Sequence, residues 1–195
     1  MKEPDSEQIM YWAARIRKSD PQAFDCLFRA LYPALVNFAF RYTRHKPAAC
    51  DIVQDSFVTL WQKRDGIEPE KSLKAYLYRI VKNRSINWLQ MHINRSEPLT
   101  DESENALKAN GHAPDSQFEQ KSALAESFNE WIKELPERQQ EAFELSRFEG
   151  LDHNEIAGVM EVSPKTVNNH IVAALNTLRE RYNNYQQNLK RAEES

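Results

Sequence analysis

Residues 163–178 combine polar side chains in a pattern that suits base recognition in DNA. At about 100° per residue, Lys165, Asn169, Val172 and Asn176 fall on one side of a helix. Asparagine amides can pair with adenine edges, and small apolar groups can contact a thymine methyl group. The pattern is typical of a helix that lies in a major groove, although an ordinary helical hairpin with a solvated polar face would show it too.

Two helices must position that face, and the residues in and before it predict both. Asp152 with Glu155 three residues later is a variant of the capping box, and it predicts the start of a first helix. A turn at Glu161–Val162 follows, and Ser163 with Pro164 suits the start of a second helix. The expected inward face of the second helix consists of Val167, Ile171, Ala174, Leu175 and Leu178. The sequence therefore predicts a helix-turn-helix at residues 152–181.

A second candidate for nucleic-acid binding lies between Lys71 and Arg95, where no Asp or Glu occurs in a chain that has 29 of them. Basic groups can follow phosphates, aromatic faces can stack on bases and amides can read base edges, so this segment suits a single strand. The residues expected on the outer surface are Lys74, Tyr78, Arg79, Lys82, Asn83, Arg84 and Asn87, and those expected inside are Leu73, Leu77, Ile80, Val81 and Trp88. We also expect Ile67, in the preceding loop, to be exposed and able to wall a pocket for a flipped base.

The helix expected from about residue 48 to 63 has an apolar stripe and an acidic face. Val53, Phe57 and Leu60 form the stripe. Off it lie Asp51, Gln54, Asp55 and Val58. An acidic, amide-bearing face can dock a protein partner, but from these residues alone a solvated helix surface is the better interpretation.

The whole chain reads as an all-α protein of two helical domains joined by a flexible linker. Long periodic segments are rich in helix-forming residues, and the chain has only 4 Gly. We expect a first domain at residues 1–95, an acidic linker at 96–121 and a second domain at 122–195. The predicted helices span residues 7–18, 21–44 (with a kink or restart at Pro33), 48–63, 72–91, 122–134 and 136–149, before the helix-turn-helix.

Charge differs between these parts. Residues 1–95 hold 16 Lys and Arg against 10 Asp and Glu, whereas residues 123–195 hold 8 against 13. A basic first part and an acidic second part favour different partners for the two domains.

Several classes of protein are disfavoured. Cys26 and Cys50 have no CxxC neighbour, so a disulfide or a zinc site is not expected. The N-terminus lacks the apolar stretch of a signal peptide, and no run reaches the ~18 apolar residues of a membrane span. We therefore expect a cytoplasmic protein without membrane insertion, metal or cofactor. No glycine-rich phosphate loop or catalytic triad with supporting context appears, so catalysis is not expected.

Taken together, three segments resemble the σ70 family of bacterial transcription initiation factors, in particular the short extracytoplasmic-function (ECF) type. DIVQDSFVTLW resembles the family's region 2.2, and SLKAYLYRIVKNRSINWL resembles regions 2.3 and 2.4. The stretch from LPERQQ to LRERY resembles regions 4.1 and 4.2. The order and spacing of these segments make the resemblance specific.

The resemblance implies a sigma factor that binds core RNA polymerase and promoter DNA and is controlled by an anti-sigma factor. The first domain would bind the β′ clamp helices through Asp51, Gln54, Asp55 and Trp61. It would melt the −10 element with Ile67, Arg79, Asn83 and Arg84. The second domain would bind the β flap, and it would contact the −35 element through Lys165, Thr166, Asn168, Asn169, His170, Val172 and Ala173. For His170, a phosphate contact or a packing role is as consistent as a base contact.

One departure from the family concerns the recognition helix. Many members carry several basic residues there, whereas this helix has Lys165 and then none before Arg179. We therefore expect weak DNA binding by the isolated chain. The alternative is a LuxR-type regulator, whose DNA-binding helices contain similar segments. In that family the helices normally follow an α/β receiver domain. Residues 1–95 show no strand pattern of the kind such a domain would have.

Overall fold

The computed structural model describes residues 4–93 and 116–193, and side chains of the second range from residue 124 to 191. These residues form eight α-helices and one short 3-10 turn, with no strand among them. The helices are α1 (Ser6–Arg17), α2 (Pro21–Thr43), α3 (Lys46–Gln62), α4 (Leu73–Ile93), α5 (Ser116–Lys133), α6 (Glu137–Arg147), α7 (His153–Met160) and α8 (Pro164–Glu193). The all-α prediction is confirmed, and the chain divides into two compact units.

The first unit packs α1, α3 and α4 around α2. Asp20 caps α2 by accepting from the backbone N–H groups of Gln22 and Ala23, and Pro21 occupies the first helical turn. The helix then continues without interruption through Pro33, where a kink or restart was one expectation. Its central position follows from a nearly continuous row of buried side chains, namely Ala23, Leu27, Leu31, Leu35, Val36, Phe38 and Ala39.

By length and composition, α2 could span a bilayer. Seven of its apolar side chains are instead buried, and the helix packs against its neighbours in the first unit. A central core helix meets the same criteria of length and apolarity, and that is the position α2 occupies.

The second unit contains α5 to α8. Ile132, Leu135 and Phe143 form a core with Ala174 and Leu178, and Phe128 and Trp131 pack on its edge. Helix α5 begins at Ser116, within the segment 96–121 predicted to be a linker, and α8 continues to Glu193, well past the predicted helix-turn-helix. The rest of the predicted linker lies outside the described residues.

The predicted start of α7 is confirmed in atomic detail. The Asp152 carboxylate accepts from the N–H groups of Asn154 and Glu155, and the Glu155 carboxylate accepts from the Asp152 N–H. This reciprocal capping box satisfies amide groups that a helix start leaves without an intrahelical partner.

Replacing the cap should destabilise the second unit. Because an N-cap carboxylate replaced by alanine costs about 1 kcal/mol, Asp152→Ala should lower the melting temperature of this unit by roughly 4–8 °C. Differential scanning calorimetry of the full chain would measure the shift. Asp152→Asn is the matched control because its side-chain oxygen still caps the helix. Equal shifts for the two variants would contradict this role.

Candidate nucleic-acid interfaces

The outer face of α8 presents the predicted base-reading residues to solvent. Lys165, Asn168, Asn169 and Val172 are exposed, and Val172 keeps 47% of its surface accessible. Three other predicted contacts, Thr166, His170 and Ala173, are half-buried. On the opposite side Val167, Ala174 and Leu178 are buried as predicted, and Ile171 is half-buried. The prediction for Leu175 was wrong, since it is 45% exposed and extends the outer apolar surface.

The turn between α7 and α8 is tight and hydrogen-bonded. Glu161 adopts a left-handed conformation with φ 58°, and the Val162 N–H donates to the Ala157 carbonyl at 3.1 Å. Ser163 Oγ then accepts from the Thr166 N–H at 3.1 Å, as expected for an N-cap. Hydrogen bonds therefore hold both the end of α7 and the start of α8. They fix the orientation of the outer face of α8 relative to α7.

A second polar face runs along α4 in the first unit. Arg79, Asn83 and Asn87 are exposed at a spacing of four residues, so they form one row along the helix. The guanidinium of Arg79 lies over the ring of Tyr76, 5.8 Å from its centroid. This face thus combines cationic, aromatic and amide groups, a combination that suits single-strand binding.

Two residues predicted for that outer surface lie inside. Tyr78 is fully buried, and its ring meets Phe38 edge-on at 5.0 Å. Lys82, one turn further along, is 7% exposed. Both fall next to the buried Leu77 and Val81, so they widen the inward side of α4. The exposed polar row of α4 is consequently narrower than predicted.

Ile67 also differs from its prediction, since it is 8% exposed and not a protruding loop residue. It lines a cavity of about 410 Å³ between the end of α3, the following loop and the start of α4. The other lining residues are Leu60, Lys63, Gly66, Glu68, Lys71, Leu73, Tyr76 and Arg79. This volume is within the range of small-molecule sites, roughly 300–1,000 Å³, and the cavity opens beside the α4 row.

Arg84 is held at the boundary between α3 and α4. Its Nη2 donates to Thr59 Oγ1 at 2.7 Å, and its Nη1 lies 3.4 Å from Asp55 Oδ2. Arg84 is therefore joined to α3, to one side of the Arg79 and Asn83 row.

The acidic face of α3 is exposed as the sequence indicates. Asp51, Gln54 and Asp55 are exposed, and Val58 among them keeps 52% of its surface accessible. Val58 is not among the contact residues that the resemblance implies, although it lies beside Asp55 on the same face. Burial raises the pKa of Tyr32, a residue of α2 that lies close to Gln54 and Cys50.

Trp61 lies at the end of α3 and is half-buried. Its ring packs edge-on against Phe24 at 5.1 Å, and the Arg64 guanidinium lies 4.8 Å from its centroid. Part of this indole therefore contributes to the core, and only the remainder is accessible to a partner.

Comparison with known proteins identifies both units. The family model described as Sigma-70 region 2 matches residues 27–92, and Sigma-70, region 4 matches residues 126–178. The ECF RNA polymerase sigma-E factor of Escherichia coli is 27% identical over 182 residues, which cover 89% of this chain and 93% of that protein. The chain is an ECF sigma factor of the σ70 family. As such it acts in transcription initiation, and the LuxR-type alternative is not favoured.

Other comparisons agree with this membership. The RNA polymerase sigma factor YlaC of Bacillus subtilis is 25% identical over 142 residues, covering 73% of this sigma factor and 82% of that one. The solved sigma factor RpoE of Bartonella quintana, in complex with the anti-sigma factor NepR, matches with a TM-score of 0.59 and 25% identity, covering 80% of this chain and 94% of that one. The solved structure of CnrH with the cytosolic domain of CnrY shares the fold with a TM-score of 0.60 at 21% identity, covering 92% and 98%.

Proposed function

We propose that this sigma factor holds a promoter at two points, with α4 on the melted −10 strand and α8 on the −35 duplex, while α3 binds core RNA polymerase. The observation that carries the proposal is the exposed row of Arg79 and Asn83 beside the cavity lined by Ile67. A row of donors next to a hollow large enough to admit a base suits a strand from which one base is flipped.

The division of work within the −10 site follows from position. Arg79 reaches both the row and the cavity, so it can hold a phosphate next to the flipped base. Asn83 does not line the cavity, and its amide can read a base edge. Ile67 contributes an apolar wall, and Arg84 supports the strand from the α3 side.

Core polymerase binding is assigned to α3. Asp51, Gln54 and Asp55 would meet the β′ clamp helices, with the accessible part of Trp61 at the end of the same helix. Val58 adds an exposed apolar group among them. An apolar centre with charged surroundings is the usual arrangement of a protein interface, and the charges set register and encounter rate.

The second unit would bind the β flap and place α8 in the major groove of the −35 element. Lys165, Asn168, Asn169 and Val172 are best placed for bases, whereas the half-buried Thr166, His170 and Ala173 are placed for phosphate or backbone contacts and close approach. The expected role of this face is selectivity, since a single lysine supplies little electrostatic affinity.

Specific binding of the free chain to a −35 duplex should be weak, and the α8 face should add little to its salt dependence. Each phosphate neutralised by a cation contributes a slope of about −0.9 in log K against log salt, and Lys165 offers one such contact on this face. Fluorescence anisotropy at several salt concentrations would measure the slope, with Lys165→Gln as the variant that should reduce it by about one contact. Tight, sequence-specific binding by the free chain at physiological salt would contradict the assignment.

The remaining proposals concern partners and location. The solved RpoE structure contains an anti-sigma factor, and we propose that an anti-sigma factor likewise controls this chain. We place the protein in the cytoplasm with the polymerase, and we assign the chemistry of initiation to the polymerase, not to this chain.

A transcription experiment with a promoter library tests the function as a whole. Core polymerase plus the purified chain should initiate on a subset of templates that share two motifs, one at −10 and one at −35. Core polymerase alone serves as the control. Absence of any selected motif would contradict the proposed function.

A further inference from the structure

The contact between Arg84 and α3 has a defined direction. Thr59 Oγ1 donates its single proton to the Asp55 carbonyl at 2.8 Å, so the same oxygen accepts from Arg84 Nη2 at 2.7 Å. The guanidinium is thereby turned toward Asp55, whose carboxylate lies 3.4 Å from Nη1. Thr59 therefore determines where the charge of Arg84 is placed.

The two charged partners belong to different proposed interfaces. The Asp55 side chain is 71% exposed on the polymerase-binding face of α3, whereas that of Arg84 is 37% exposed on the helix that follows the −10 strand. A cation of the polymerase would be drawn to Asp55, and a DNA phosphate would be drawn to Arg84. The polymerase thus competes with Arg84 for Asp55, and the DNA competes with Asp55 for Arg84.

An ion pair at this exposure is weak, because water already screens both charges. Either ligand can therefore displace it at small cost. Once one ligand has separated the pair, the other binds without that cost, so the two binding events favour each other reciprocally.

We propose that Thr59 is a positioning residue that holds Arg84 on Asp55 in the free chain, and that this link couples polymerase binding to capture of the −10 strand. The inference rests on the proposed function of α3 and α4. The coupling should amount to about two- to fivefold, the range that an exposed ion pair supplies.

The test measures the affinity of the full chain, free and bound to core polymerase, for a fluorescent single-stranded −10 oligonucleotide. Thr59→Val removes the hydroxyl at similar shape, and it should raise the affinity of the free chain about two- to fivefold by releasing Arg84. The gain in affinity on joining core polymerase should shrink by the same factor. Thr59→Ser should restore both values.

A double-mutant cycle separates this link from a general loss of negative charge. Asp55→Asn should raise the free chain's strand affinity more than Asp51→Asn, the control one turn away on the same face. The excess should vanish when Arg84→Ala is also present. Equal effects of the two Asn variants, or an excess that survives in the Arg84→Ala chain, would overturn the link while leaving the two interfaces intact. Failure of the polymerase-bound wild type to bind the strand would instead refute the proposed function.

Discussion

Promoter opening by the polymerase-bound Asn83→Ala variant should fall by roughly 5- to 150-fold, because an amide that reads a base edge contributes about 1–3 kcal/mol. The exposure of Asn83 makes this a clean substitution, since its removal leaves no cavity in the core. Stopped-flow fluorescence from a labelled −10 base would report the opening rate. Asn37→Ala, at an exposed position of α2, is the matched control.

The companion change at Ile67 must be conservative. Ile67 is buried, so truncation to alanine would cost about 2–5 kcal/mol of stability and would confuse a binding defect with unfolding. Ile67→Val loses one methyl group from the cavity wall and should slow opening by a smaller factor while the unit remains folded. Because both residues are proposed to contact the unpaired strand, weaker binding by both variants should persist on a template whose −10 region is already unpaired. Full recovery of binding on that template would contradict a role in strand capture.

Phe57→Ala should destabilise the first unit by about 3–5 kcal/mol, a large part of the stability of a small domain. Phe57 is 2% exposed, and its ring meets those of Phe28 at 4.8 Å and Phe24 at 6.0 Å. It lies on the inner side of α3, opposite the acidic face, so its loss removes the support for both the proposed polymerase interface and Thr59.

Calorimetry of the full chain should therefore show the transition of the first unit displaced to lower temperature. Val58→Ala, on the exposed side of the same helix, is the control and should change stability by less than about 0.5 kcal/mol. Comparable shifts for the two variants would contradict the assignment of inner and outer faces.

Local signals in the sequence predict the helices well. Asp20–Pro21, the Asp152 and Glu155 pair and Ser163–Pro164 each mark a helix start, because capping depends on residues within one turn. The periodic apolar residues of α3 and α8 likewise place part of the core. These features are enough to predict the fold class and the outer face of α8 without knowledge of tertiary contacts.

Tertiary contacts decide the rest. Tyr78 and Lys82 have polar ends on long apolar bodies, so the sequence cannot tell whether another helix covers them. Ile67 is buried beside the cavity between α3 and α4, and Arg84 is hydrogen-bonded to Thr59, 25 residues away in the sequence. Leu175 is exposed although it shares the apolar stripe of α8. The residues of the candidate −10 site therefore could not be delimited from the sequence, because their exposure depends on how α3 and α4 pack.

The most direct test of the two-point account is permanganate reactivity of promoter thymines with core polymerase and the chain together. The account predicts unpaired thymines in the −10 element only when both proteins are present, with opening suppressed by Asn83→Ala. It also predicts that substitutions in the −35 motif reduce occupancy without moving the opened region. Opening by the chain without core polymerase, or an opened −10 region indifferent to Asn83, would contradict it.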